Sequence, residues 1–339
     1  MKRIHFTPDD LMRVRVGASL GAFGETVLAA RMFQHTDAAL FDGWRRQVCA
    51  GIPDDFGMLA ELLPPDSCFV DLITPVRGAR SLPEGVEALR LASRDELRRE
   101  VDEALNRRLR QGARVIPEWA VKLSDRDGGT LREVVTAVET FHSVAFAGRW
   151  VHVQTHLDLA YERMARTLAT EGVERLLAEL PGHWRAPVLD IPIRYSSGDL
   201  HLGGRGLVVV PSLFAWPDPV LLKSTVDADA SPQLVVPVLR QPSDLVAAWG
   251  PRPGGEALVA LLGRTRAAAL EAIAAGCTTT ELARRLGISP ATASEHASIL
   301  RRAGLVDSRR YRNTMQHEVT TLGAALLDGE PDHRGVRIA

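Results

Sequence analysis

The sequence predicts an α+β chain in two parts. A mixed helix and antiparallel-sheet domain is expected over residues 1–250, and a small helical domain closed by a β-hairpin over 256–328, with a tail at 329–339. Three observations predict this. The 339 residues suffice for about two domains of ordinary size. Helical spacing dominates to about residue 179, after which apolar runs follow one another with only Gly, Asp and Pro turns between them. Residues 249–256, WGPRPGGE, then hold two prolines and three glycines, the composition of a linker.

The elements follow in order. RIHFT at 3–7 alternates like a short strand, and Pro8, Asp9 and Asp10 open a helix. From 25 to about 111 the pattern is helical in short pieces, broken at 51–53, 64–65 and 83. RDELRREVDEALNRRLR, Arg94–Arg110, is a charged helix with Leu97, Val101, Leu105 and Leu109 expected on one stripe. Residues 130–179 read as two further helices. VLDIPIRY, DLHL, GLVVVPSLFAW and QLVVPVL, between 188 and 239, read as strands, and their close succession without helices predicts antiparallel pairing.

Composition bounds the function. Hydrophobic residues make up 45%, ample for buried cores. No apolar run reaches the ~18 residues of a membrane span, and MKRIHFTPDD turns acidic where a signal peptide needs an apolar core. Cys49, Cys68 and Cys277 lie too far apart for a disulfide framework or a metal knuckle, so a reducing cytoplasm is the expected compartment. The net charge is −1, yet residues 264–318 carry nine arginines against five acids, leaving −5 for the rest. A basic module on an acidic body is the asymmetry expected where one part meets a polyanion.

That basic stretch is the most informative. Residues 256–275 are rich in Ala and Leu at helical spacing and stop at Gly276. Thr278 and Glu281 form a T-x-x-E capping box that starts a helix, which Gly287 ends. Ser289 is a good N-cap and Pro290 suits the first turn of the next helix, which runs to Ala303 and stops at Gly304. Two helices joined by so short a turn have the helix-turn-helix outline. Ala293, Ala297 and Leu300 form one stripe, expected to pack on Leu282 and Leu286. The opposite face holds Ala291, Ser294, Glu295, Ser298 and Arg302, small and polar enough to approach base edges. LVDSRRYRNTMQHEV then fits two strands around a turn near 312–313. Its Arg309, Arg310 and Arg312 suit contact with phosphate. Ser289, Thr292 and Tyr311 complete the candidate DNA-contacting set. The competing reading, an arginine-rich structural hairpin, explains neither the small-residue face nor the basic strand pair.

Residues 264–327 resemble the winged helix-turn-helix of the ArsR-like bacterial transcriptional regulators. The matching residues are TTTELARRLGISPATASEHASILRRAGLV, the SRR wing and the closing helix TTLGAALL. The whole chain resembles a longer subgroup that begins IHFTxxDL, here IHFTPDDL, and carries a GRGLVVVPSLFAWP-like stretch, here 204–217. The resemblance implies a dimeric regulator on a palindromic operator of double-stranded DNA, one reading helix per half-site. Two departures stand out. Metal sensors of the family carry paired cysteines near these helices, whereas Cys277 stands alone, too few ligands for a soft metal. Glu295 stands where many relatives have a basic or imidazole group; it costs phosphate affinity unless it accepts from a cytosine amine.

An enzyme reading finds little support, and neither a cofactor nor a metal site is expected. His152 and His156 have the i, i+4 spacing of a zinc helix, but Val153 occupies the place of the required Glu, so both are expected at the solvent or a pocket edge. No G-x-S-x-G elbow occurs, and GGRG at 203–206 lacks the dinucleotide spacing. Trp150, Trp184 and Trp216 are core residues or cavity walls. Two readings remain for the large body: a sensor enclosing a small organic effector, which would make the protein a ligand-controlled repressor, or a ligand-free oligomerisation or partner module. A large cavity favours the first, a flat apolar surface the second.

Overall fold

The first strand, β1 (Lys2–His5), is an interior strand of a sheet whose other members lie some 180 residues further on. The computed structural model describes residues 1–52, 56–112, 117–146, 148–194, 196–239, 255–274, 276–286, 288–311 and 314–328. These group into two units, Met1–Ala145 with His156–Leu245, and Phe146–Thr155 with Val246–Ala339. The expected linker at 249–256 lies outside the described residues up to 254, and so does the tail at 329–339.

In the N-terminal unit, β1 is followed by α1 (Pro8–Met12), β2 (Arg15–Val16), α2 (Gly21–Phe33), α3 (Asp42–Cys49) and α4 (Phe56–Leu62). Then come α5 (Leu82–Leu91), α6 (Arg94–Arg110), α7 (Glu118–Ser124), α8 (Gly128–Phe146), α9 (Trp150–Glu171) and α10 (Val173–Ala178), of which Phe146 and Trp150–Thr155 group with the C-terminal unit. The strands β3 (His183–Arg185), β4 (Val188–Ile191), β5 (Gly198–His201), β6 (Val208–Ser212), β7 (Val220–Leu222) and β8 (Gln233–Pro237) complete it.

The expected antiparallel sheet is corrected here: among the described residues of this unit two mixed four-stranded sheets form. In the order β3-β4-β1-β5, β1 runs antiparallel to β4 and parallel to β5. In the order β2-β6-β8-β7, β6 is parallel to both β2 and β8, and only β7 is antiparallel. The cause is that β5 and β6, adjacent in sequence, belong to different sheets. The GGRG turn carries the chain between them, and glycine is required at 206 both by its φ of +72° and because a Cβ would lie 2.5 Å from the Arg13 carbonyl oxygen. Its N–H donates to the buried Asp10 carboxylate at 2.9 Å. Ile4, Leu189, Ile191, Val209 and Leu234 share one core with Leu176 and Leu177 of α10.

Three helical expectations also change. Pro83 lies in the first turn of α5 and does not break a helix, because Ser81 caps the Glu84 N–H and proline loses nothing there. Residues 130–179 fall in three helices, α8 to α10, with Gly172 (φ +89°) separating the last two. On α6, Leu97 and Val101 are buried, but Leu105 is only half-buried and Leu109 is 43% exposed. Steps of four residues drift round the helix at 3.6 residues per turn, and Glu100 and Ala104 enter the interior instead.

The C-terminal unit contains α11 (Gly255–Leu262), α12 (Arg264–Ile273), β9 (Cys277–Thr278), α13 (Thr279–Leu286), α14 (Pro290–Arg302), β10 (Val306–Tyr311), β11 (Thr314–Val319) and α15 (Thr321–Asp328). The single helix expected at 256–275 is broken at Gly263, whose φ of +81° ends α11 and opens α12. Leu270, Ile273, Leu282, Ala293, Ala297, Leu300 and Val306 form the core, with Leu286 partly buried against it. β10 and β11 pair antiparallel, and β9 adds to β11, giving the order β10-β11-β9. Among the described residues no helix is long and apolar enough to cross a membrane.

Candidate nucleic-acid interface

Two helices joined by a turn, then a hairpin, make up the candidate site. The turn is held at both ends. The Ile288 N–H donates to the Ala283 carbonyl at 3.1 Å, satisfying a free group at the end of α13; Gly287, the expected stop, lies outside the described residues. Ser289 Oγ accepts from the Thr292 N–H at 3.1 Å and meets Thr292 Oγ1 at 2.8 Å, so it caps α14. At the start of α13, only half of the expected capping box forms. Thr278 Oγ1 accepts from the Glu281 N–H at 3.2 Å, but the Glu281 carboxylate accepts from Arg285 at 2.5 Å. The reason is that Thr278 belongs to β9, in register with Gln316 of β11.

The apolar stripe of α14, Ala293, Ala297 and Leu300, is buried in the core. That orientation sends Ser294, Glu295 and Arg302 to the exposed side, with Thr292 and Ser298 partly exposed beside them and Ser289 exposed at the helix start. Gly304, at φ +73°, ends the helix, and Leu305 and Val306 turn inward to lead the chain into β10. On the hairpin Arg309 and Arg310 are exposed; Arg309 Nε lies 3.5 Å from Asp307, which offsets part of its charge. The Tyr311 side chain, Arg312 and the turn placed near 312–313 lie outside the described residues.

One positioning residue gave no signal in the sequence. His317, on β11, is 4% exposed, and its ring meets Thr279 Oγ1 at 2.9 Å through Nε2 and Ser308 Oγ at 2.8 Å through Nδ1. It ties the start of α13 to the hairpin. Burial, then the charge of Arg301, holds its pKa below the usual histidine value. Cys277, its register partner, is buried, and burial pushes its thiol up to about 11, far from the thiolate that metals or oxidants require. Among the described residues no group of three or more His, Cys, Asp or Glu is arranged to hold a metal ion. His152, expected at solvent or a pocket edge, is instead 7% exposed, and His156 is half-buried.

The N-terminal unit contains a cavity of about 650 Å³, inside the range of small-molecule sites. Trp216 is part of its wall, with Ile193 and Leu222, and so are Arg31, His35, Arg194 and Glu100. Sequence reasoning named none of these but Trp216, because His35 and Arg194 meet across 159 residues of chain.

Residues 261–309 match a family model described as a helix-turn-helix domain. No curated protein and no solved structure matches the chain. The chain thus carries a helix-turn-helix domain, a DNA-binding class of fold, and the match spans α12 to α14 with the first part of β10.

Proposed function

We propose that this protein is a sequence-specific, non-enzymatic transcriptional regulator of the ArsR-like, winged helix-turn-helix type. It acts in the cytoplasm as a homodimer on a palindromic DNA operator, as a repressor controlled by a small organic ligand in the N-terminal unit. The observation that carries the reading is the two-faced α14: Ala293, Ala297 and Leu300 are buried, while Ser294, Glu295 and Arg302 are exposed and a hairpin with exposed Arg309 and Arg310 follows directly. Small side chains let a helix enter the major groove, Glu can accept from a cytosine amine, and Arg on the hairpin can meet phosphate. The cavity supports the sensor reading of the N-terminal unit over the ligand-free module.

The test is a binding titration on the protein's own upstream DNA across a salt series. Arg310→Ala should weaken binding to every sequence and lower the salt slope by about one. Glu295→Ala should change the base preferred at one operator position, by about 1–3 kcal/mol. An unchanged slope would refute the hairpin assignment, and an unchanged motif after selection would refute base reading by Glu295.

A further inference from the structure

The cavity of the N-terminal unit is built unevenly. At one side, Arg194 Nη1 donates to His35 Nε2 at 2.5 Å, and Arg194 Nε pairs with Asp218 at 3.6 Å. A guanidinium has no acceptor and keeps its protons, so His35 accepts at Nε2 and is the neutral imidazole. Burial, then the charges of Arg194 and Arg31, holds the His35 pKa below its usual value. Arg31 adds a second guanidinium to the wall, its carbon 5.4 Å from the Phe69 ring centre. This side therefore carries two guanidinium groups, Arg194 and Arg31, with one carboxylate, Asp218, beside Arg194.

The carboxyl groups of the wall are differently placed. Asp71 accepts from the Ile73 and Thr74 N–H groups at 2.8 and 2.9 Å and from Thr74 Oγ1 at 2.5 Å. Glu103 accepts from Arg107 at 2.6 Å. Glu100 accepts from Thr225 Oγ1 at 2.7 Å, and burial, then the charge of Asp71, raises its pKa to about 8. Trp216, Ile193 and Leu222 supply apolar surface between these groups.

We infer that this cavity binds a small organic monoanion, a carboxylate with an apolar or aromatic body, its head against Arg194 and His35 and its body along Trp216 and Ile193. Desolvating the head is offset by a charge-assisted bond from Arg194, which is stronger than a neutral one. Elsewhere the wall holds both cations, Arg99, Arg107 and Lys223, and carboxylates, Asp71, Asp102 and Glu103, and Glu103 holds Arg107, so the head position beside Arg194 is suited to a single charge. The inference deepens the ligand-controlled reading above and rests on it for any consequence on DNA.

The experiment titrates the full chain, without DNA, by calorimetry. The probes are benzoate, phenylacetate and octanoate, with benzamide, inorganic phosphate and adenosine triphosphate as comparisons. At least one carboxylate should bind with a Kd below roughly 1 mM, and benzamide at least about tenfold more weakly than benzoate. Arg194→Gln should weaken carboxylate binding by about tenfold or more, and Arg194→Lys by less. Asp218→Asn removes the competing carboxylate and should tighten binding, a gain that misfolding cannot imitate. Saturation by no carboxylate, equal binding of acid and amide, tightest binding of the triphosphate, or no gain in Asp218→Asn would each overturn the proposal. Because DNA is absent, these outcomes are separate from a failure of operator recognition.

Discussion

Glu25 has no exposure to solvent, and its carboxyl joins α2 to the end of β6. Oε2 accepts from Ser212 Oγ at 3.1 Å and the Leu213 N–H at 3.2 Å, while Oε1 is buried without a hydrogen-bond partner. Burial raises its pKa from 4.5 to about 7. The folded state therefore keeps a proton that the unfolded chain has already lost. Stability from this group is complete below pH 4.5 and declines as the pH rises towards 7, by on the order of 3 kcal/mol in all. Glu25→Gln imitates the protonated carboxyl and should lose that decline. Urea unfolding of both proteins across this range should show the parent falling relative to Glu25→Gln, and parallel curves would refute the assignment. In the sequence Glu25 is only an acid near a helix start, because its partner Ser212 is 187 residues away. The Ser289 cap was legible, because a cap is made with residues three positions on.

Elements divide along the same line. The starts of α6 and α14 follow from local chemistry, since Ser93 and Ser289 cap the residues three places ahead. Strand direction does not, because β1 must find β4 and β5 across the chain, and no local pattern states whether a distant strand runs parallel. Gly323, inside the closing helix, makes the point for packing. By propensity it is a weak helix former in TTLGAALL, yet a Cβ there would lie 2.1 Å from the Leu305 carbonyl oxygen and 2.5 Å from Val319 Cγ1. The glycine is what lets α15 lie against the backbone that leads into β10. Gly323→Ala should therefore destabilise the C-terminal unit by roughly 1–3 kcal/mol, although alanine favours helix. Ser289→Ala, by loss of a cap alone, should cost about 1 kcal/mol. Thermal melts decide: a Gly323→Ala protein as stable as its parent would show that the helix shifts freely to make room.

At the scale of the whole molecule, the two units differ in what their sequences disclose. The DNA-facing candidates sit on contiguous elements whose faces follow from helical periodicity, so Ser294, Glu295 and Arg310 could be named in advance. The cavity is assembled from α2, α6 and the segments around 194 and 216–225, and only the fold brings those together. The quaternary state lies between these cases. In the C-terminal unit, α11 packs against α15, and they leave Leu261 66% exposed, Leu322 59% and Val259 36%. Apolar side chains on two adjoining helices cost free energy in water, about 25 cal/mol for each Å² that a partner would cover. On the regulator reading proposed above, one reading helix would contact one half-site, and a second copy would both cover such a surface and supply the second half-site contact. We therefore propose a homodimer through α11 and α15. Leu261→Glu with Leu322→Glu should place four carboxylates in that interface, yield a monomer by light scattering, and reduce affinity for a two-half-site operator to that for a single half-site. The substituted surfaces are already exposed, so the melting temperature of the isolated chain should change little. A parent that is monomeric both free and on operator DNA, or a double variant that remains dimeric, would remove α11 and α15 as the interface and leave the apolar surface to another partner.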